Sequence, residues 1–151
     1  SAVPSLVARK VAAATAFWNV EGVTLRARGV RTHEFRVDDF GAPRYPELVL
    51  VTTRSLLRTR RDAIQRTLAA LADGTRAALR DPAPVVSAIG RAAQADSKLV
   101  REELGAIRPA LSPPLRLDRA SLEAWARWDA RFGILKRAPN VRRAFDFTLA
   151  Q

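Results

Sequence analysis

Phe17, Trp18, Asn19 and Glu21 set two large aromatic rings, an amide and a carboxylate within five positions of the stretch "TAFWNVEGV". These are the groups that hold small planar molecules: an aromatic face stacks on a ring, and one or two fixed polar groups read its edge. The same stretch also reads as an ordinary junction, a buried strand running into a helix. Other chemistries lack their parts. The chain has no cysteine, which removes disulfides, thiolate nucleophiles, Cys zinc sites and iron–sulfur clusters. Its single histidine, His33, leaves imidazole metal sites without a second ligand, and a Ser-His-Asp triad would need His33 itself. No Gly-rich phosphate loop and no G-x-S-x-G elbow is present.

The 151 residues suffice for one domain with a sizeable core, and 48% hydrophobic residues exclude general disorder. No apolar run reaches the ~18–20 residues of a membrane helix. Ser1 opens a mixture of polar and apolar residues without the long apolar stretch of a secretory signal. The net charge of +11 invites a nucleic-acid or anionic-surface reading. Only Lys10, Lys98 and Lys136 among the 26 basic residues are lysines, and the arginines are spread along the whole chain. Spread charge of this kind argues against a dedicated nucleic-acid face, and no nucleic-acid partner is expected.

The elements that must position the quartet alternate at first. "SLVAR" after Pro4 is a helical turn, and "KVAAATAF" suits a tightly covered buried strand. "WNVEGVTLRARG" places Val20, Val23 and Ala27 on one helical face and ends at Gly29, a C-cap. "VRTHEFRV" alternates as a half-exposed strand does, and "DDFGAPRYP" is a loop. "ELVLVTT", residues 47–53, has the unbroken apolar pattern of a central strand buried on both faces. From Arg54 onward the pattern is helical. Ile64, Leu68, Leu71 and Leu79 share one side of the first long helix. Ser97 is a candidate cap of a helix ending near Gly105, and Asp118 caps the clearest helix, which Gly133 closes. Its Trp125, Trp128 and Phe132 recur at helical spacing and are expected in the core. Three strands are few for a self-contained α/β sheet.

"KVAAATAFWNVEGVTLRARG", "FRVDDFGAPRYPELVLVTT" and a tail with "LEAWARWDARFGIL" together resemble ABC-transporter substrate-binding proteins, in the branch similar to the thiamine pyrimidine-precursor-binding proteins. The resemblance covers residues 3 to 147, and "FWNVEG" and "GAPRYPELVLV" are its most specific parts. It implies an α/β fold: part of a two-lobe type II periplasmic-binding-protein fold, of which this chain resembles the C-terminal half. Residues 1–37 would belong to the second lobe, 38–46 to the hinge crossover and 47–151 to the first lobe. In the resembling proteins the segment matching "FWNVEG" lines the interlobe cleft. Carried over, Phe17 stacks on a pyrimidine ring, Glu21 accepts hydrogen bonds from an aminopyrimidine edge, and Asn19 presents its amide. Trp18 faces either the cleft or the lobe core. Tyr45 and Asp39 lie where the crossover would face the cleft, although an Asp in such a loop also serves ordinary turn chemistry.

The function this implies is a solute-binding component of an ABC import system for a small nitrogen heterocycle such as a thiamine pyrimidine precursor. The alternatives are a basic nucleic-acid or anionic-surface binder, or a fragment that binds nothing. The implied partners are the heterocyclic ligand, the transporter permease, and the missing N-terminal half or another copy of the chain. No cofactor is expected and the full-length form would be extracytoplasmic. The eukaryotic relatives synthesise the pyrimidine with iron and clustered cysteines; without cysteines this chain is expected not to be an enzyme.

Overall fold

The computed structural model describes residues 2–112 and 114–150. Among them there is no β-strand. The helices are α1 (Ala2–Val7), α2 (Val23–Ala27), α3 (Arg54–Thr59), α4 (Arg61–Arg80), α5 (Ala83–Ala93), α6 (Ser97–Ile107), α7 (Arg119–Arg131) and α8 (Val141–Ala144). A π turn (Trp18–Gly22) leads into α2, and 3-10 turns span Val37–Phe40 and Arg108–Ala110.

The α/β expectation is therefore corrected. The segments expected as strands, 10–17, 30–37 and 47–53, form no ladder with one another. A strand exists only through neighbouring strands that take its N–H and C=O groups, and these segments have no such strand neighbour among the described residues. The "ELVLVTT" segment, expected to be buried on both faces, is instead exposed, with Leu48 at 83% and Val51 at 81%.

The chain divides into two compact units. The first comprises residues 1–34 and 75–111. Here α6 packs against α5, α2 and the π turn, and Val3, Val23, Leu25, Val86 and Val100 are buried. On α2 the buried residues are Val23 and Leu25, while Val20 and Ala27 of the expected Val20–Val23–Ala27 stripe are exposed. Gln94 takes the left-handed conformation (φ 51°) that ends α5, and Asp96 then starts α6. The cap is Asp96 rather than Ser97: its carboxylate accepts from the backbone N–H groups of Lys98 (2.7 Å) and Leu99 (3.0 Å). These bonds hold its carboxyl below the usual carboxylate range, that from Leu99 most of all. The helix continues through Gly105 to Ile107; one interior glycine weakens a helix by only about 1 kcal/mol.

The second unit comprises residues 35–74 and 112–151. Its core is Leu122 and Ala126, one turn apart on α7, against Val141 of α8, with Leu117, Phe145 and Phe147 around them. Asp118 caps α7 as expected, accepting from the N–H groups of Ala120 (3.2 Å) and Ser121 (3.0 Å). Gly133, at φ +71°, lies just past its end. Asn140 caps α8 by accepting from the Arg143 N–H at 3.1 Å. Arg54 donates to the Arg143 carbonyl (3.0 Å). Arg61 donates to Asp146 (3.0 Å) and to the Thr148 hydroxyl (2.6 Å). Two arginines thus tie the chain around residues 54–61 to α8 and to the segment that follows it.

Trp125, Trp128 and Phe132 do not fill this core. They form a ladder with Tyr45 on the surface of the second unit. The ring centroids lie 4.2 Å apart for Tyr45–Trp125, 5.1 Å for Trp125–Trp128 and 4.6 Å for Trp128–Phe132. Phe132 is 57% exposed, with the Arg131 guanidinium over its ring. The helical spacing is as expected. Leu122 and Ala126 occupy the inward face, and the aromatic rings cover one another instead.

Candidate functional site

The first four candidate residues sit together on the π turn of the first unit. Phe17 is its N-cap, with extended backbone (φ −88°, ψ 120°). The carbonyl of Phe17 accepts from the N–H groups of Val20 (3.1 Å) and Gly22 (3.2 Å). The carboxylate of Glu21 reaches back to the start of the turn, where Oε2 accepts from the Phe17 N–H at 2.9 Å. In a capping box the acid three residues past the cap does this; the extra residue of the π turn moves the task to the fourth. Glu21 Oε1 takes no hydrogen bond from the described residues.

Phe17 and Trp18 are 51% and 49% exposed, so both rings present a face to solvent. Asn19 is covered, at 9%. Arg26 on α2 braces the turn: it donates to the Trp18 carbonyl (3.4 Å) and pairs with Glu34. Gly22 is buried beneath that pair, and a Cβ there would lie 3.0 Å from Glu34 Oε1. The Arg26–Glu34 pair can lie so close only because position 22 has no side chain.

Sequence reasoning missed Glu103. It stands on α6, which packs on the π turn. Burial pushes its carboxyl above the usual range, and the nearby charge of Glu21 adds to the shift. Nothing in "KLVREELGAI" distinguishes Glu103 from its neighbour Glu102; only the packing of α6 brings it near the turn. The site thus offers two open aromatic faces, a carboxylate with one free oxygen, and a second carboxyl that is easier to protonate. A planar solute carrying N–H donors matches that set.

Tyr45 and Asp39 belong to the other unit. Tyr45 is committed to Trp125 in the ladder. Asp39 lies exposed on the Val37–Phe40 turn, which ends at Gly41 in the left-handed conformation (φ +89°). Its neighbour Asp38 accepts from Arg36 (2.9 Å) and Arg44 (3.2 Å). The hydrogen bond from Arg36 does most to hold the Asp38 carboxyl below the usual range. Among the described residues no group of three or more His, Cys, Asp or Glu could hold a metal ion, and no helix is long and apolar enough to cross a membrane.

A family model described as NMT1/THI5 like matches residues 1–84, more than half of the chain and the whole of the π turn. No curated protein and no solved structure matches the chain. The chain belongs to the NMT1/THI5-like family, a family of ABC-transporter substrate-binding and thiamine-pyrimidine-related proteins.

Proposed function

We propose that this chain carries the ligand-reading turn of an ABC importer's solute-binding component, and that the solute is a small nitrogen heterocycle such as a thiamine pyrimidine precursor. The observation that carries the reading is the pair of open aromatic faces, Phe17 and Trp18, beside a carboxylate held at a fixed place by the Phe17 N–H. In this reading Phe17 stacks on the ring and Glu21 Oε1 accepts from its amino edge. Trp18 shields the second face, and Asn19 keeps its amide at the covered side of the turn. The role is binding rather than catalysis, since the redox chemistry of the pyrimidine-forming relatives needs cysteines that this chain does not have. The partners would be the importer's permease together with the remaining half of the binding protein or another copy of the chain, and the site of action extracytoplasmic.

Calorimetric titration with an aminopyrimidine tests this. Saturable binding that Phe17→Ala weakens and Phe17→Tyr retains supports it. Binding unchanged by Phe17→Ala and by Glu21→Gln would remove the turn from the site.

A further inference from the structure

The second unit contains a groove of about 330 Å³ between α7 and the segment leading into α8. Its floor is apolar, with Ala126 and Val141 buried. Its walls are charged and unevenly so. Arg127 lines it from α7 and Arg142 from α8, with Asn140 and Glu123 beside them. Glu123 already accepts from Arg119 at 2.6 Å. Neither Arg127 nor Arg142 makes an ion pair or side-chain hydrogen bond among the described residues, in contrast to Arg36, Arg61 and Arg119, each of which has a carboxylate. The chain around the groove adds to the imbalance: Arg131, Lys136, Arg137, Arg142 and Arg143 fall between residues 130 and 145, with no acidic residue among them.

We propose that this groove binds a small organic anion, an oxyanion carried on a compact apolar group. Two guanidiniums on facing elements can fork onto one phosphate or carboxylate, for which their planar donors are well matched. The apolar floor takes the rest of the molecule. The volume lies at the lower end of the range for small-molecule sites. A nucleic-acid strand would need a track of basic residues with stacking faces, whereas these arginines line one short concavity. The site lies in the second unit and does not rest on the heterocycle reading.

The test is a titration of the full chain with phenyl phosphate, followed by backbone amide NMR, with benzyl alcohol as the uncharged probe and a thymidine oligonucleotide as the nucleic-acid probe. Phenyl phosphate is expected to shift the amides of residues 126–127 and 140–142 saturably, and benzyl alcohol to leave them in place. Arg127→Gln and Arg142→Gln should each weaken binding roughly ten- to hundredfold, as loss of a charged hydrogen bond does. Both side chains are exposed, and circular dichroism of each variant verifies the fold. Arg66→Gln, which removes one charge elsewhere on the unit, should leave the affinity unchanged. Three results would overturn the proposal: no saturable shift with phenyl phosphate, an equal loss in Arg66→Gln, or binding of the oligonucleotide alone with a steep salt dependence.

Discussion

The backbone N–H of Phe17 donates to Glu21 Oε2 at 2.9 Å, so the carboxylate proposed to read a ligand also closes the turn that presents the ring. This separates two substitutions. Glu21→Gln retains an oxygen that can accept from Phe17, so stability should change by less than about 0.5 kcal/mol. Glu21→Ala leaves the N–H to solvent and should cost about 0.5–1.5 kcal/mol, the net worth of one hydrogen bond. Urea denaturation of the two variants checks the order. Equal losses would show that the turn does not depend on this contact.

The aromatic ladder predicts a gradient. Trp128 lies between Trp125 and Phe132 and is half-buried, whereas Phe132 ends the ladder at 57% exposure. A fully buried Trp→Ala change costs ~3–5 kcal/mol; a half-buried one with two ring neighbours should cost about 1–3 kcal/mol. Phe132→Ala should cost less than about 1 kcal/mol. Denaturant midpoints measured side by side give the ranking, and a Phe132→Ala loss as large as that of Trp128→Ala would mean that the end ring is buried in solution.

Local signals carried most of what the sequence could tell. Asp118 at the start of α7, Gly133 past its end and Gly29 after α2 act where their chemistry places them, because capping depends on a few neighbouring residues. The clustering of Phe17, Trp18 and Glu21 was legible for the same reason. The sheet was not, since alternation in "VRTHEFRV" and apolarity in "ELVLVTT" describe what a strand would want on its faces, not whether a neighbour is there to pair with it. Glu103 was invisible because its importance comes from α6 packing on a turn far away in sequence. The π register was equally hidden: Glu21 reads as an ordinary helical acid until its carboxylate is seen at the Phe17 N–H.

Four carboxylates contribute to the acid limb of stability, Asp38 beside Arg36 and three more. Asp96 is held below the usual range chiefly by the Leu99 N–H, Asp118 chiefly by the Ser121 hydroxyl, and Asp146 chiefly by the Thr148 hydroxyl, with Arg61 adding to it. A lowered folded pKa means that the unfolded chain binds more protons as pH drops through the ordinary carboxylate value of about 3.9. Their contribution is therefore fully present above that value and is lost as pH falls toward and through the lowered values. Melting temperatures from pH 7 down to strongly acidic buffer should decline on that limb. Asp96→Asn and Asp118→Asn keep a capping oxygen without its titration and should flatten it. An acid limb identical to wild type in the double variant would assign the decline to other groups.

Leu48, Val49, Leu50 and Val51 are all exposed. The backbone groups of residues 43–52 make no backbone–backbone hydrogen bond among the described residues. An extended apolar segment with open N–H and C=O groups on both sides pairs with any strand that it meets. The chain should therefore self-associate with rising concentration, and the association should pass through this segment. Replacing the two most exposed residues, Leu48→Lys and Val51→Lys, places charge on the segment without touching either unit's buried residues, so stability should stay within about 0.5 kcal/mol. Sedimentation velocity across a concentration series then reads the effect. The wild-type chain should sediment progressively faster and the double variant should hold at the monomer value. A wild-type chain that stays monomeric throughout, or a variant that associates equally, would show that these residues are covered within the molecule or that another surface drives the contact.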